Sequence, residues 1–417
     1  MAKTIVEKIL SKKAARDLKA GDFAVCKIDF AFGQDGTSNL IIDKINELKI
    51  RKIKIPFCMV IDHSSPAANE AIARVHKKMR QFCLKFKGML FDIGCGICHQ
   101  VIPEAGIVKP GDVIVGADSH TSTYGALGAF SVGMGSTDVA VSMACGKNWF
   151  KVPSTLKIII KGNIPKGIYA KDIILYIIQD MKSDGANYKA IEFYGHTLKY
   201  INMDGRFTIC NMVVEMGAKC GFMPIDKITL DWFKLFLPKN YKFEFLKADE
   251  DAHYEIVKEY NIEKLTPLVS CPHSVDSVVA VSEIKNVKIN EAFLGTCTNG
   301  RLSDLKVAAQ ILKNKKIKKG VKFIVAPASK KIFLDALNLG LIDIFVKAGG
   351  VVISPGCGPC VGSHAGIPAD NEIVISTANR NFKGRMGNPN SQIYLASPAT
   401  VVASAISGKI TDPRIYL

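Results

Sequence analysis

Short apolar runs, each followed by a glycine-containing or polar loop and then by a helical stretch, constrain the fold of this chain more than any other feature. Three lie in its first part: FCMVID (57–62), GMLFD (88–92) and DVIVGAD (112–118). Four more follow residue 285: EAFLG (291–295), KFIVAPAS (322–329), GGVVIS (349–354) and EIVIST (372–377). Continuous apolar strands are typical of parallel sheets buried on both faces, so the sequence predicts βαβ units and the α/β class.

The length of 417 residues predicts two to three domains. The α/β rhythm divides the chain into residues 1–153, 154–284 and 285–417, of which the middle part is more charged and less regularly patterned. Within the last part, SKKIFLDALNLGLIDIFVKAGG (329–350) reads as one helix that ends on a glycine pair.

The amino-terminal sequence predicts an amphipathic helix, and it lacks the apolar segment and cleavage site of a signal peptide. The sequence contains no run of 18 apolar residues, which is about the length needed to cross a bilayer. We therefore expect a cytoplasmic protein that does not enter the membrane. In such a compartment the 12 cysteines are thiols or metal ligands rather than disulfides.

The net charge of +17 has three readings. Lysines scattered for solubility explain most of it, and a basic field could also steer a small di- or trianion toward a cleft. Nucleic-acid binding is the weaker expectation, because the sequence has no zinc-finger spacing, no basic region with heptads and no RRM signature.

The loops that follow the predicted strands carry the chemistry. They contain DH (62–63), CGICHQ (95–100), ADSHT (117–121), GTCTNGR (295–301), SPGCGPCVG (354–362) and TANRNFKGR (377–385). Ligands bind at the carboxyl ends of strands in open parallel sheets, so these loops can converge although they are distant in sequence.

Three cysteines suggest a metal centre. Cys357 and Cys360 form a C-x-x-C between glycines, and Cys297 supplies a third thiolate from an equivalent loop. An iron–sulfur cluster held by three cysteines would keep one iron free as a Lewis acid. A thioredoxin-type dithiol, or a zinc site that includes Cys95 and Cys98, is also compatible with the spacing.

The remaining polar candidates fit an acid–base site for carboxylates. The motifs place Asp62 beside His63 and Asp118 near His120, an arrangement that orients imidazoles for proton transfer. Guanidinium groups such as those in NRNFKGR bind carboxylates bidentately. Lone cysteines are read as small buried hydrophobes; these are Cys26, Cys58, Cys83 and Cys145.

Taken together, DH, CHQ, GADSHT, ICNMVVE, GTCTNGR, PGCGPC and NRNFKGR resemble the aconitase superfamily from about residue 20 to the carboxyl terminus. The resemblance implies a three-domain α/β/α arrangement with mostly parallel sheets around a central cleft, lacking the swivelling fourth domain of aconitase. It also implies one 4Fe-4S cluster, with Cys297, Cys357 and Cys360 as ligands and one iron not bound by cysteine.

The resemblance further implies roles for other residues. The network that protonates the leaving hydroxyl would comprise Asp62, His63, His99, Asp118 and His120. The residues that line the cleft would be Gln34, Asn211, Glu215, Asn379, Arg380 and Arg385, with the two arginines binding substrate carboxylates. Asn211 and Glu215, four apart, would share one helix face.

The implied reaction is removal and readdition of water on a 2-hydroxy di- or tricarboxylate. The length is similar to that of the large subunits of isopropylmalate dehydratases, the branch we favour, and of homoaconitases; methylmalate-type acids are a further option. The family's serine base lies on the swivelling domain, so a separate small subunit is expected to supply it. An alternative of another class is an electron-transfer or RNA-binding iron–sulfur protein.

Overall fold

The computed structural model describes residues 2–238, 240–241 and 245–417. Within these ranges, three parallel or mostly parallel sheets and one two-stranded ribbon are flanked by helices. No helix in the described ranges is both long and apolar enough to span a membrane.

The first part of the chain forms an all-parallel five-stranded sheet of order β4-β3-β2-β5-β6 and the antiparallel ribbon β1-β7. Its elements are α1 (Ile5–Ala14), β1 (Phe23–Lys27), β2 (Phe30–Gln34), α2 (Ser38–Glu47), β3 (Phe57–Val60), α3 (Glu70–Phe86), β4 (Met89–Phe91), α4 (Cys98–Glu104), β5 (Val113–Gly116), β6 (Phe130–Gly133), α5 (Ser136–Cys145) and β7 (Lys147–Lys151), with a 3-10 segment at Ser119–Leu127. The predicted amino-terminal helix and the three predicted strands are confirmed.

The middle part forms an all-parallel sheet of order β10-β9-β8-β11. Its elements are β8 (Thr155–Lys161), α6 (Ala170–Met181), β9 (Ala190–Tyr194), α7 (Met203–Met212), β10 (Cys220–Phe222), α8 (Lys227–Phe233) and β11 (Ile256–Asn261), with 3-10 turns at His196–Tyr200 and Val213–Met216. Helix α6 is apolar on nearly every face and is mostly buried.

The last part forms a seven-stranded sheet of order β13-β12-β18-β17-β14-β15-β16. Its elements are β12 (Leu268–Ser270), β13 (Val278–Ala280), β14 (Glu291–Leu294), α9 (Thr296–Asn299), α10 (Leu302–Leu312), β15 (Lys322–Val325), α11 (Lys330–Asn338), α12 (Leu341–Ala348), β16 (Val351–Val352), β17 (Ile373–Ser376), β18 (Gln392–Ala396) and α13 (Pro398–Ser407), with 3-10 turns at Val281–Glu283, Gly358–Val361 and Pro413–Tyr416. Strand β12 is antiparallel to both of its neighbours, and the other pairs are parallel.

Two sequence expectations need adjustment in this part. The predicted single helix over 329–350 is the pair α11 and α12, because Gly340 adopts a left-handed conformation (φ 70°) between them. The glycine pair ends α12 as predicted, with Gly349 at φ 101°. Strands β12 and β13 belong to this sheet although they precede residue 285, and the three-domain division stays a proposal.

The five-stranded and the seven-stranded sheets each have a point at which the strand order reverses. Strand β2 lies between β3 and β5, and β14 lies between β15 and β17, so connections leave these central strands in both directions. Crevices open at the carboxyl ends of strands at such points. Residues that follow β2, β5, β14 and β17 are therefore brought to one cleft.

Candidate active site

A cavity of about 260 Å³ lies where these strand ends meet. The predicted site residues that line it are Gln34, His63, His99, Asp118, His120, Cys297, Cys357, Cys360, Asn379, Arg380 and Arg385. Asp62, Asn211 and Glu215 lie behind this lining, and each is hydrogen-bonded to one of its residues. The loops that are distant in sequence thus meet in one place.

The three cysteines lie together on one wall of the cavity. Cys297 is in the short helix α9 directly after β14, whereas Cys357 and Cys360 lie at the 3-10 turn that follows β16. Each sulfur has a nitrogen neighbour. Asn211 and Asn379 donate to Cys297 Sγ at 3.3 and 3.4 Å, Arg385 donates to Cys360 Sγ at 3.4 Å, and His63 Nδ1 lies 3.8 Å from Cys357 Sγ.

Glycines allow the C-x-x-C loop to pack closely. Gly362 has φ 70°, and a Cβ there would lie 2.2 Å from the backbone nitrogen of Gly387. A Cβ on Gly356 would lie 3.0 Å from the carbonyl oxygen of Asp62. Because the backbone comes this near, the amide of Cys357 donates to that same carbonyl at 2.8 Å. The cysteine loop is thereby fixed to the Asp62–His63 turn.

The donor set fits an iron–sulfur cluster. Three thiol groups face one cavity, and N–H donors approach the sulfurs, as such clusters require. Burial raises the pKa of Cys357, the first thiol of the C-x-x-C, although His63 opposes the shift; thioredoxin-type thiols instead have a lowered pKa. A thiol of this kind becomes a thiolate when a metal replaces its proton.

The other cysteines are separate from this group. Cys26, Cys58 and Cys83 are buried, as expected for small hydrophobic residues. The prediction is wrong for Cys145, which is exposed because it is the last residue of α5, where the chain turns at Gly146.

The imidazole of His63 lies between a carboxylate and a sulfur. Its Nδ1 is 2.7 Å from Asp62 Oδ1, and Asp62 Oδ2 accepts from the amide of Cys98 at 2.7 Å. Burial works against protonation of His63, but the sulfur of Cys357 and the carboxylate of Asp62 outweigh it and hold the pKa of His63 well above its usual value.

Asp118 joins the three histidines. Its Oδ1 lies 2.7 Å from His99 Nε2 and accepts from the backbone amide of His120 at 2.8 Å, and its Oδ2 lies 3.6 Å from His63 Nε2. Although Asp118 is largely removed from water, its contacts with His99 and the charges of the other two histidines hold its pKa well below its usual value.

His120 and Arg380 share one carboxylate. His120 Nε2 and Arg380 Nε each lie 2.8 Å from Glu215 Oε1. Burial, with Arg380 nearby, lowers the pKa of His120, although Glu215 opposes this shift. Glu215 lies in the 3-10 turn that follows α7 and not in the helix of Asn211. The two residues therefore do not share a helix face as predicted, yet both turn toward the cavity wall.

Several polar atoms beside the cavity have no partner within the described residues. They are His99 Nδ1, Asn379 Oδ1 and Arg385 Nε, all buried. Buried polar groups rarely stay unsatisfied, so an absent ligand is expected to bond them. A cationic Arg385 with an unused N–H, near the partly exposed Arg380, suits a ligand with carboxylates.

A second way to hold a metal exists in the same wall. Ligand atoms of Asp62, His63 and Cys357 lie within 4.8 Å of one another. Carboxylate, imidazole and thiolate are all zinc ligands, so this trio could bind a single Zn²⁺ when no cluster is present.

Sequence reasoning missed three buried residues that support this site. Asp35 accepts from the backbone amides of Asp62, His63 and Ser64 at 3.1, 2.8 and 2.9 Å. Arg301 donates to the carbonyl oxygens of Cys297 and Thr298, each at 2.8 Å. Lys171 donates to two carbonyls just before Asn379. Asp35 directly follows the apolar segment AFGQ (31–34), and this position at the end of a strand could have identified it.

The chain was compared with models of protein families and with known proteins. A model of the aconitase family (aconitate hydratase) matches residues 7–288 and 282–408. The chain is 50% identical over 420 residues to "3-isopropylmalate dehydratase large subunit 1" of Thermotoga maritima, and 51% identical over 419 residues to "3-isopropylmalate dehydratase large subunit 2" of Archaeoglobus fulgidus. Both matches cover 100% of each chain.

Two further similarities are more distant. A protein named "Probable methanogen homoaconitase large subunit" of Methanothermobacter thermautotrophicus is 44% identical over 98% of this chain and 97% of its own. The crystal structure of Thermococcus kodakaraensis aconitase X superposes with a TM-score of 0.53 at 11% identity, covering 90% of this chain and 89% of that one. This second similarity concerns the fold, which is of the aconitase type. The chain belongs to the aconitase family.

Proposed function

We propose that this chain is the large subunit of a 3-isopropylmalate dehydratase, a hydro-lyase that interconverts 2- and 3-isopropylmalate by removing and readding water in leucine biosynthesis. Relatives at 50 and 51% identity over their full length carry that name. We further propose that it acts in the cytoplasm, where its twelve thiols stay reduced.

The convergence of thiols, imidazoles and guanidinium groups in one cavity is the observation that carries this proposal. An electron carrier or an RNA-binding protein would have no use for Asp118 at the centre of three histidines. A dehydratase needs such groups, because hydroxide is a poor leaving group unless it is protonated.

Cys297, Cys357 and Cys360 would hold a 4Fe-4S cluster with one iron not bound by cysteine. When bound, such a cluster supplies a Lewis acid that polarises a C–O bond without net oxidation. Asn211 and Asn379 would orient the first of these ligands through their bonds to Cys297 Sγ.

Two histidines of the chain, His63 and His120, would differ in protonation. His63, whose pKa is raised, carries the proton that the departing hydroxyl needs, and Asp62 fixes its ring. His120, whose pKa is lowered, stays neutral and bonds to Glu215. Environments that shift the pKa values of neighbouring groups in opposite directions are typical of sites that combine an acid with a neutral hydrogen-bonding partner.

Arg380 and Arg385 would bind the two carboxylates of the substrate. Arg380 uses its Nε for Glu215, and its Nη1 donates to Ser119 Oγ only at 3.4 Å, so its terminal nitrogens could turn to a carboxylate. Arg385 Nε has no partner within the described residues. Bidentate pairing of this kind fixes both the position and the orientation of a dicarboxylate.

A small subunit would complete the site. The relatives' names describe large subunits, and the family resemblance implies that the base that removes the α-proton lies on a separate swivelling domain. The partner would supply a serine base and an arginine on a swivelling domain that closes over the cavity.

Activity of the two-chain complex tests the proposal. The chain is reconstituted anaerobically with iron and sulfide, mixed with the small subunit from the same organism, and assayed on isopropylmalate and on homoaconitate. We expect turnover of isopropylmalate that requires both chains. Preference for homoaconitate would favour the homoaconitase alternative, which the 44% identical relative keeps open. Failure on both acids, and on methylmalate, would overturn the enzyme assignment.

The cluster is tested separately by visible absorbance. Cys360→Ser should lose the brown colour or acquire a cluster that bleaches faster in air. Cys145→Ser, which alters an exposed cysteine outside the cavity, serves as the matched control and should behave as the wild type. A colourless wild-type protein that binds stoichiometric zinc would instead support the trio of Asp62, His63 and Cys357.

A further inference from the structure

Lys171 is a buried cation in an unusual position. Its side chain is 0% exposed and lies in the first turn of α6. Its Nζ donates to the carbonyl oxygens of Thr377 at 3.0 Å and of Ala378 at 2.5 Å. Among the described residues, no carboxylate lies within ion-pair distance of Lys171 Nζ, and its hydrogen bonds go to these two neutral carbonyls.

This position is unfavourable on two counts. The amino terminus of a helix carries a partial positive charge, so a lysine there is repelled. Moving an ammonium group out of water costs free energy that only a nearby negative charge or strong hydrogen bonds can offset. Residues that break local rules without an evident compensation are expected at functional sites.

The carbonyls that Lys171 contacts belong to the cysteine wall. The carbonyl oxygen of Thr377 accepts from the hydroxyl of Thr298 at 2.7 Å, and the hydroxyl of Thr377 accepts from the amide of Gly295 at 2.9 Å. Thr377 is thus hydrogen-bonded to residues on both sides of Cys297. Asn379, two residues further, donates to Cys297 Sγ. Lys171 therefore lies directly behind the wall that faces the cavity.

The electrostatic environment of Lys171 agrees with this geometry. Burial lowers the pKa of Lys171 to about 7, and the sulfurs of Cys297 and Cys360 are the largest influences that raise it. The carboxylates of Glu215 and Asp304 raise it less. Thiolates at Cys297 and Cys360, on the wall that Lys171 supports from behind, would therefore add negative charge close to the ammonium group.

We infer that the Lys171 ammonium compensates the negative charge of an iron–sulfur centre bound by Cys297, Cys357 and Cys360, while it positions the segment that ends at Asn379. The inference rests on the proposed function, because it assumes that the three thiolates hold such a centre. A centre bound by three thiolates is anionic overall and becomes more so on reduction. Lys171 is accordingly a positioning and charge-compensating residue that does not touch substrate.

Lys171→Gln separates charge from hydrogen bonding, since glutamine can donate to the same carbonyls without a charge. Lys171→Met removes both. Lys166→Met is the matched control: Lys166 lies just before α6, is exposed, and likewise donates to a backbone carbonyl, that of Leu417 at 2.8 Å.

The experiment measures the midpoint potential of the reconstituted centre by EPR-monitored titration and the rate at which its absorbance is lost in air. Loss of a nearby positive charge disfavours the reduced form, so Lys171→Gln should lower the potential and speed the loss severalfold. Lys166→Met should change neither. A purely structural role would leave the potential unchanged in Lys171→Gln.

Folding of the cluster-free variants decides the remaining outcomes. Without the centre, the lysine charge has no counter-charge, so the cluster-free Lys171→Gln chain should be at least as resistant to urea as the wild type. Unfolding of that variant, or a potential and loss rate equal to those of the wild type, would overturn the inference. A wild-type chain that takes up no cluster would instead contradict the proposed function.

Discussion

His120 Nε2 and Arg380 Nε converge on a single oxygen, Oε1 of Glu215, each at 2.8 Å. The carboxylate thus couples an imidazole that follows β5 of the first sheet to a guanidinium that follows β17 of the last. The side chain of Glu215 is only 8% exposed, so its charge is weakly screened. Burial opposes its ionisation, but His120 and Arg380 outweigh it and lower the pKa of Glu215. One residue therefore sets the orientation of two others.

Glu215→Gln should reduce kcat of the two-chain complex by roughly 100-fold, because it removes the charge that orients His120 and Arg380 while it keeps the side-chain shape. Steady-state kinetics on isopropylmalate measure the effect. Glu259→Gln alters an exposed glutamate paired with Lys161 and should leave kcat unchanged. Equal kcat values for the two variants would show that the convergence has no catalytic role.

Arg385→Lys should raise KM by about tenfold or more, because lysine cannot form the planar, bidentate contact with a carboxylate. Visible absorbance must be recorded alongside, since Arg385 also donates to Cys360 Sγ at 3.4 Å. Arg414→Lys, at a guanidinium that pairs with Asp412 near the carboxyl terminus, is the control. An unchanged KM with an intact cluster would exclude Arg385 from substrate binding.

The sequence predicted the parts of this fold that depend on local pattern. The seven apolar runs form strands β3, β4, β5, β14, β15, β16 and β17, because buried parallel strands need continuous apolar residues. The ribbon β1-β7 and the antiparallel strands β12 and β13 were not predicted. Their segments are short or only half-buried, so their sequences differ little from those of loops.

The site was predicted through motifs, and its supporting residues were not. Asp62, His63 and the cysteines occur in conspicuous loops. Lys171 resembles any lysine near a helix start, and its burial depends on contacts with Thr377 and Ala378, 206 and 207 residues away. Such long-range packing leaves no local signal. For the same reason, the sequence could not indicate that Glu215 would meet both His120 and Arg380.

The stability of the chain should decrease as pH rises from about 4 to about 7, partly through Asp112. Burial and the nearby carboxylate of Asp29 raise the pKa of Asp112 to about 7. Between its ordinary pKa near 4 and about 7, the folded state therefore holds a proton that the unfolded state releases. The free energy of unfolding falls over that interval and stays low above it.

Asp112→Asn should remove this contribution. At pH 8 the variant should be more stable than the wild type by about 1–2 kcal/mol after allowance for partial exposure, and near pH 4 the two should be alike. Urea denaturation of the cluster-free chain at several pH values measures the difference. Asp343→Asn, at an exposed residue paired with Lys347, is the control. A difference that did not grow with pH would contradict the raised pKa.

Asp35 should be as important as the motif residues, because it fixes the turn that carries His63. It accepts from three consecutive backbone amides and lies 3.2 Å from His76 Nε2. Asparagine has one oxygen, so in Asp35→Asn at least one of these donors loses its acceptor. An unsatisfied buried group costs about 1–3 kcal/mol of stability.

Displacement of that turn should also lower kcat by roughly tenfold or more, because a misplaced acid transfers protons poorly. Asp43→Asn, an exposed position in α2 that pairs with Lys78, should change neither stability nor kcat beyond experimental error. If Asp35→Asn lost stability but kept its kcat, the three hydrogen bonds from backbone amides to Asp35 would contribute to the fold and not to catalysis. Loss of both would mean that the position of His63, and with it proton transfer, depends on a carboxylate that is not among the residues lining the cavity.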